Sequence, residues 1–360
     1  MRREFCRAAL RNRKPFSARP VVEKRGGHKQ SALRCRLNQG WHQRTGVIPQ
    51  RWSRVASLTL KPPGQTRRPF LLSRQFWVAV SLLVILALVT AIRIRLLNLP
   101  LERDEGEYAC GGQLILQGVP PYQEVYSMKW PGIFAAYALI MGIFGQTTAG
   151  IHTGLILINL ATAALVFLLA RRVCDDTAGV VAAGTYALLS ISPATHGLAA
   201  HATHFVMLFA LGGIVLLQKL DEQTPLARVF FAGLLFGLAA LIKQSGVAFG
   251  LFGVVWIVGR ELSRTNRDWR RLAMRLGSLS LGGLLPLVLT CLILVLTGVF
   301  DRFWLWTVQY ARAYVSIVTL TQGAEQLLNA VTILFNADPG MWGLAISGSL
   351  LLFCERSFAA

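Results

Sequence analysis

The stretch FWVAVSLLVILALVTAI, residues 76–92, decides the fold class of this chain, and it contains no charged residue. About 20 apolar residues in a helix cross the hydrocarbon core of a bilayer, so this run predicts a membrane span. Across all 360 residues, 54% are hydrophobic and 15% are charged, and the mean hydropathy is +0.49. That balance lies beyond an ordinary soluble domain. The chain is therefore expected to be a polytopic membrane protein, and an all-α one, because helices satisfy their own backbone polar groups inside lipid.

Further apolar runs follow at intervals that fit repeated crossings. Residues 229–259 are interrupted by KQSG, which predicts two shortened helices rather than two full spans. Residues 132–145 are short for a span and predict an interfacial helix in the first outer loop. The fold expected is a polytopic transmembrane helical bundle. Its other predicted spans are 151–172, 178–195, 202–218, 276–299 and 340–354, the last with a start near Leu327 as the alternative.

Most of the positive charge belongs to residues 1–74. This segment has 19 basic and 2 acidic residues, which gives +17 of the chain's net +20. Its Pro, Gly, Arg and Gln content and its lack of apolar periodicity predict a disordered tail attracted to anionic membrane lipids. It carries no recognisable nucleic-acid-binding module, so nucleic acid is not expected as a partner. The membrane domain is assigned to residues 75–354.

Basic loops give the orientation of the domain. The positive-inside rule places the tail, the arginines after residue 170 and the loops at 218–228 and 259–275 on the cytoplasmic side of the cell (inner) membrane. The N-terminus is then cytoplasmic. The opposite, outer face collects the unusual polar side chains, which are Asp104, Glu105, Glu107, Lys129, His196, His201, His204, Lys243, Gln244 and Arg302.

The outer-face residues suggest group-transfer chemistry. Asp104 and Glu105 form a carboxylate pair that can act as a general base toward a hydroxyl. Lys243 and Gln244 offer a charge and an amide donor suited to phosphate oxygens. The alternatives are a solvated loop in which Asp104 caps a helix, and a Lys243 that snorkels to the interface.

Three histidines raise the question of a metal. His196, His201 and His204 lie near the acidic pair, and the last two share a helix face at a spacing that can bind zinc. Hydrogen bonding to substrate and plain interfacial histidines are both favoured over a metal site. His201 and His204 are assigned as substrate-binding residues, and no metal or other cofactor is assigned. The six cysteines show no CxxC spacing and indicate neither a disulfide framework nor a thiolate metal site.

The order of motifs resembles a known family. A first span is followed by DEGEYA, then GVPPYQEVYSMKWPG, LARRV and LIKQSG. This order resembles the GT-C class of membrane glycosyltransferases, and most of all the dolichyl-phosphate-mannose protein mannosyltransferase-like group, which includes the lipid A aminoarabinose transferases and bacterial lipopolysaccharide-core sugar transferases. The resemblance covers about residues 76–320. It implies a GT-C-like fold, a polyprenyl-phosphate sugar donor, a lipid, polysaccharide or protein acceptor with an outer hydroxyl, and inversion at the anomeric carbon.

The resemblance also implies roles for individual residues. Asp104 corresponds to the catalytic base, with Glu105 beside it. Tyr108 is implied to shape the cavity, Lys129 to lie at a turn beside it, and Lys243 to approach the donor phosphate.

The chain departs from the family in two places. Where many relatives carry an acidic residue in the second outer loop, this chain reads AHATHF, with His204 at that position. The family also has more spans, so the membrane domain is expected to be truncated at its C-terminus. Two other functions stay open at this point: a secondary transporter or flippase for lipid-linked or small polar substrates, and an inactive truncated relative. The sugar and the acceptor are not specified by the sequence.

Overall fold

A computed structural model describes residues 74–193, 196–337 and 339–358. The predicted tail at 1–74 lies outside these residues, apart from Arg74. The described residues form helices joined by short loops, with no strand among them, which confirms the predicted all-α class.

The described helices follow one another with few long connections. They are α1 (Arg74–Arg95), α2 (Arg103–Leu116), α3 (Pro131–Phe144), α4 (Thr148–Val173), α5 (Asp176–Leu189), α6 (Ala202–Gln218), α7 (Leu226–Ile242), α8 (Val247–Leu262), α9 (Trp269–Leu296), α10 (Phe300–Trp304), α11 (Ala311–Ser316), α12 (Leu320–Ala337) and α13 (Pro339–Phe358). A 3₁₀ turn at Gln244–Gly246 precedes α8, and a π-helical segment at Leu305–Tyr310 joins α10 to α11.

Four described helices are long and apolar enough to cross a membrane. They are α1, α4, α9 and the stretch Gln244–Leu262, which is α8 with its preceding turn. The helices α3, α6 and α7 are apolar but shorter. The break predicted at KQSG is confirmed, since α7 ends at Ile242 and α8 begins at Val247. The helix in the span predicted at 178–195 ends sooner, at Leu189, and the next α-helix begins at Ala202.

Glycines bring α7 and α9 into close contact. A Cβ at Gly233 or Gly237 would collide with the α9 backbone at Leu279 and Gly283, and one at Gly282 would collide with the α7 backbone. Small residues are the usual means of close helix approach in membranes, because lipid provides no hydrophobic drive for association. The helices α7 and α9 therefore pack tightly together, and the KQSG break follows directly at the end of α7.

The loops between helices form two ends of the bundle. The end that we call the site end contains residues 97–130, 190–193, 196–201 and 243–246, which contact one another. The opposite end contains residues 219–225 and 263–268, which are joined by the ion pair of Arg264 and Glu222 at 2.9 Å.

Arg93, near the end of α1, hydrogen-bonds to the backbone at Ser190 and Gly197. An interfacial anchor is the simplest expectation for an arginine at the end of a span, but this side chain is buried. Its guanidinium donates to the carbonyl of Ser190 and, at 2.9 Å, to that of Gly197. The loop that carries His201 is thus held from the side of the first span.

Candidate functional site

The first turn of α2 sets the position of Asp104. Glu102 is the N-cap residue: its carboxylate accepts from the Asp104 backbone N–H at 2.8 Å, and its own N–H donates to Glu105 Oε2 at 2.9 Å. This reciprocal pair is a capping box, which satisfies two amide groups that the helix itself leaves free. Capping therefore falls to Glu102, and the expectation that Asp104 is the cap is wrong. The Asp104 side chain is left available for other contacts.

Asp104 lies at the centre of a charged cluster. Its Oδ2 accepts from Lys129 Nζ at 2.7 Å and lies 3.3 Å from Nε2 of His201. The hydroxyl of Tyr108, one turn along α2, lies 3.4 Å from the same oxygen. The ammonium group of Lys129 also lies over the Tyr108 ring, 5.4 Å from its centroid. Three residues predicted as site residues from separate parts of the sequence therefore surround the predicted base.

The loop before α3 places Lys129. Its carbonyl accepts from the Tyr122 hydroxyl at 2.8 Å, and its N–H donates to Ser127 Oγ at 3.0 Å. Ser127 in turn donates to Glu107. Lys129 thus lies at a turn fixed on both sides of its backbone, directly before α3, which agrees with the position that the sequence predicted.

The motifs KWPG and LIKQSG meet at the site end. Gly132, in the first turn of α3, lies so close to the Leu241 carbonyl at the end of α7 that a Cβ there would collide with it. The Gln244 side-chain amide reaches the carbonyl of Met128 at 3.5 Å, the outer limit of a hydrogen bond. Lys243, which ends α7 with an extended backbone, is therefore brought to the same region as Lys129.

Glu105 points away from this cluster. It is 1% exposed, and its Oε1 accepts from the Ala200 N–H at 2.5 Å and contacts Nε2 of His152 at 3.2 Å. Nδ1 of His152 contacts the carbonyl of Leu97 at 2.8 Å. The predicted pair of neighbouring carboxylates is thus split between two environments, one facing the cations and one buried in the protein.

His204 lies one turn into α6 and is half-buried, with its N–H bonded to the carbonyl of His201. Among the described contacts, none joins its side chain to Asp104. The exposed ring of His196 stands 6.5 Å from that of His201, measured between centroids. His201 is therefore the histidine that the structure brings to the predicted base.

Surrounding charges fix the ionisation of the cluster. Burial by itself opposes ionisation of Asp104, but the hydrogen bond and charge of Lys129, with His201, hold its pKa below the ordinary value. Burial and the nearby positive charge of Lys243 lower the pKa of His201. Burial and the Asp104 charge raise the pKa of the Tyr108 phenol. Near neutral pH, Asp104 is a carboxylate, His201 a neutral imidazole and Tyr108 a hydrogen-bond donor.

Glu105 is also held in its charged form. Burial opposes its ionisation, whereas contacts from His152, Ala200 and the Glu102 backbone outweigh that cost and lower its pKa. Both carboxylates of the DE pair are therefore ionised for different reasons.

One group of side chains resembles a metal-binding set. Ligand atoms of Glu102, Asp104 and His201 lie within 4.8 Å of one another. The Lys129 ammonium group, however, already neutralises Asp104 Oδ2, the oxygen that faces His201. An ion placed there would face this cation at close range, so the donor set fits a carboxylate–ammonium cluster better than a metal centre.

An apolar groove begins beside the KQSG break. It has a volume of about 270 Å³ and lies between α7, α8 and α9. Its walls are almost entirely apolar and include Phe236, Gly237, Ala240, Val247, Gly250 and Leu284. Ala240 and Val247 flank Lys243 in sequence, so the groove extends from the site end along the helices.

Comparison with known families gives one match. Residues 129–294 match the family model of dolichyl-phosphate-mannose-protein mannosyltransferases. The match covers 166 of the 360 residues. It supports a membrane glycosyltransferase of the GT-C type and confirms the resemblance seen in the motifs. Comparisons with curated proteins and with solved structures gave no match.

The matched segment contains Lys129, His201 and Lys243 but begins after Asp104. The roles of Asp104, Glu105 and Tyr108 therefore rest on geometry. Two of their partners, His152 and Ala200, were missed by sequence reasoning. The i, i+3 spacing of Glu102 and Glu105 could have revealed the capping box. No local pattern could have revealed His152, which lies 47 residues from its partner.

Proposed function

We propose that this protein transfers a sugar from a polyprenyl-phosphate-linked donor to a hydroxyl group of a lipid, polysaccharide or protein acceptor. The transfer takes place on the outer side of the cell membrane, with Asp104 as the general base and inversion at the anomeric carbon. The observation that carries the proposal is the cluster at the site end, in which an ionised Asp104 lies beside Lys129 and His201 and close to Lys243, which has no ion-pair partner among the described residues.

The reaction is a single displacement. The acceptor oxygen attacks the anomeric carbon from the face opposite the phosphate, and its proton passes to Asp104. The bond from the anomeric carbon to the phosphate oxygen breaks, and the polyprenyl phosphate leaves with the electron pair. Because Asp104 is ionised, it can accept the proton without first losing one. Tyr108, as a donor to the same carboxylate, keeps that oxygen oriented.

The donor is held by charge at one end and by apolar surface at the other. Among the described carboxylates, none forms an ion pair with Lys243, so its ammonium group is available for the donor phosphate. Gln244 offers an amide donor beside it. The apolar groove next to Lys243 suits an isoprenoid chain, since burial of apolar surface is favourable and its walls offer almost no polar group.

The proposed orientation follows from the charges of the opposite end. Residues 219–228 and 259–275 together carry eight basic and four acidic residues. The positive-inside rule assigns such loops to the cytoplasm, which places the site end outside and the N-terminus inside.

The proposal is tested by transfer assays on membranes that contain the full chain. Radiolabelled polyprenyl-phosphate hexoses and pentoses are supplied, and the label is followed into lipid, polysaccharide and protein fractions. Asp104→Asn should lower transfer by about 1,000-fold, because the base is lost while the shape is kept. The matched control is Glu124→Gln, which neutralises an exposed carboxylate of the loop before α3 and should leave transfer unchanged.

Three outcomes contradict the proposal. If the parent chain transfers sugar from none of the donors, the proposed enzymatic role is wrong. Equal transfer by Asp104→Asn and the parent removes Asp104 as the base. Retention of the donor's anomeric configuration in the product excludes a single displacement. Because the proposal includes no metal ion, transfer should also persist in EDTA, and its loss would revive the metal-binding set at Asp104.

A further inference from the structure

Two side chains bond the backbone of Ala200, one at its N–H and one at its carbonyl. Its N–H donates to Glu105 Oε1 at 2.5 Å, and its carbonyl accepts from the Tyr137 hydroxyl at 2.7 Å. Ala200 itself is fully buried. Loop backbone usually bonds to other backbone or to water, so two long-range side-chain bonds to one residue fix its place unusually firmly.

The two gripping side chains belong to well-packed elements. Glu105 is tied by its other oxygen to the α2 cap and, through His152, to α4. The Tyr137 ring is fully buried and packs edge-on against Tyr108, with ring centroids 5.4 Å apart. The Ala200 peptide is thus connected to α2, α3 and α4 at once.

We propose that Glu105, His152 and Tyr137 form a positioning clamp that holds His201 on Asp104; this inference rests on the proposed function. His201 follows Ala200 directly, so fixing that peptide fixes the start of the His201 side chain. Asp104 precedes Glu105, so the same clamp fixes the other partner of the 3.3 Å contact. The clamp therefore sets the separation of the base from its histidine neighbour.

Glu105 takes a positioning role in this arrangement, because its described contacts are all with groups of the protein. Its carboxylate accepts from two backbone N–H groups and contacts the His152 ring, and its side chain is 1% exposed. The clamp thus gives the DE pair two separate tasks, in which Asp104 takes the proton and Glu105 positions the loop opposite.

The sharpest test is Tyr137→Phe, which removes one hydroxyl and keeps the buried ring. The clamp predicts that kcat falls about 10-fold while KM for the polyprenyl-phosphate sugar is unchanged, because loss of one hydrogen bond relaxes the geometry around the base. The matched control is Tyr186→Phe, which removes a hydroxyl bonded to Asn159 at 2.8 Å on α4, away from Ala200. It should leave kcat at the parent value.

A second readout does not depend on transfer. Diethyl pyrocarbonate modifies neutral, accessible histidines, and mass spectrometry gives the rate at His201. Tyr137→Phe and Glu105→Gln should raise this rate several-fold, whereas Tyr186→Phe should not. Parent-like kcat and parent-like His201 reactivity in Tyr137→Phe would overturn the clamp. Equal effects in Tyr186→Phe would also overturn it, since they would show general loosening.

The two proposals can fail separately. If Asp104→Asn retains full transfer while the clamp variants still raise His201 reactivity, the clamp stands and the base assignment falls. If Asp104→Asn abolishes transfer while Tyr137→Phe and Glu105→Gln behave as the parent in both assays, the base stands and the clamp falls.

Discussion

Charged residues gather at both ends of the bundle, but they are arranged in opposite ways. At the opposite end, Glu261 and Arg275 are each 2% exposed, and Arg264 and Arg271 both pair with Glu222. At the site end, the Lys129 and His201 side chains are 31% and 26% exposed around Asp104. The cluster at the opposite end, which we call the closed cluster, is built around a fully buried pair, Glu261 and Arg275, whereas the central carboxylate of the site end is flanked by partly exposed basic groups.

The comparison shows that charge near a membrane is not by itself a sign of catalysis. The closed cluster joins the 219–225 loop to α8 and α9: Arg275 donates to the Asp221 carbonyl, and Glu261 Oε1 accepts from the Asp268 N–H at 2.9 Å. These buried charges hold helices together. At the site end, Lys243 has no carboxylate partner among the described residues and lies near the Asp104 cluster and beside the apolar groove, and that placement suits it to an anionic ligand with an apolar chain.

The largest effect is expected from opening the closed cluster. Arg275→Met should destabilise the fold by about 3 kcal/mol, because it removes the buried cation beside Glu261, which keeps only Arg264 at 3.6 Å among the described residues, and the donor to the Asp221 carbonyl. Thermal unfolding in detergent would show a lowered midpoint, while kcat per folded molecule stays at the parent value. The added change Glu261→Gln should recover part of the loss. A parent-like midpoint in Arg275→Met would break the comparison.

The matching change at the site end should have the reverse outcome. Lys243→Met should leave the unfolding midpoint unchanged and lower kcat about 100-fold, because the leaving phosphate loses a preorganised cation. Transfer and thermal unfolding, measured on the same preparation, separate a loss of catalysis from a loss of stability. A lowered midpoint with normal kcat would mean that Lys243 serves structure, as Arg275 does.

The smallest effect concerns pH. As the pH falls through the lowered pKa of His201, its ring gains a charge beside Asp104 and competes for that carboxylate, so kcat should decline. The decline should begin below the ordinary histidine value of 6.5 and be absent in His201→Asn. Lys243→Met removes one cause of the lowered pKa and should move the decline to higher pH. Profiles of kcat measured from about pH 5 to pH 8 test both points. Persistence of the same decline in His201→Asn would assign it to another group.

Much of the fold could be predicted from the lengths of the apolar runs and from the polar and charged residues that interrupt them. The KQSG break and the short helix at Pro131–Phe144 follow from counting residues against a bilayer, and they are confirmed. The end of α5 at Leu189 does not follow from counting apolar residues against a bilayer. Ser190, Ser192 and Pro193 come directly after it and are a signal for a helix end, and the Arg93 bonds to Ser190 and Gly197 stabilise the non-helical backbone there.

The site could be predicted only as a set of residues on one face. The sequence shows the chemical character of these residues: a carboxylate at Asp104, an imidazole at His201, and amines at Lys129 and Lys243. The split between Asp104 and Glu105 depends on which way each side chain points from the first turn of α2, and that is decided by Ala200 and His152, far away in the chain. Long-range partners of this kind leave no periodic signal.

The close contact between Gly132 and the Leu241 carbonyl also has a consequence for the order in which the protein assembles during synthesis. These residues are about 110 positions apart, so the surface that receives the KWPG turn does not exist until α7 has left the ribosome and entered the membrane. His201 and Lys243 are added in the same interval. The nascent chain therefore carries its acidic turn through the synthesis of 139 further residues, from 104 to 243, before the groups that complete the site are present. Assembly of the site thus follows membrane insertion of the first acidic turn instead of accompanying it.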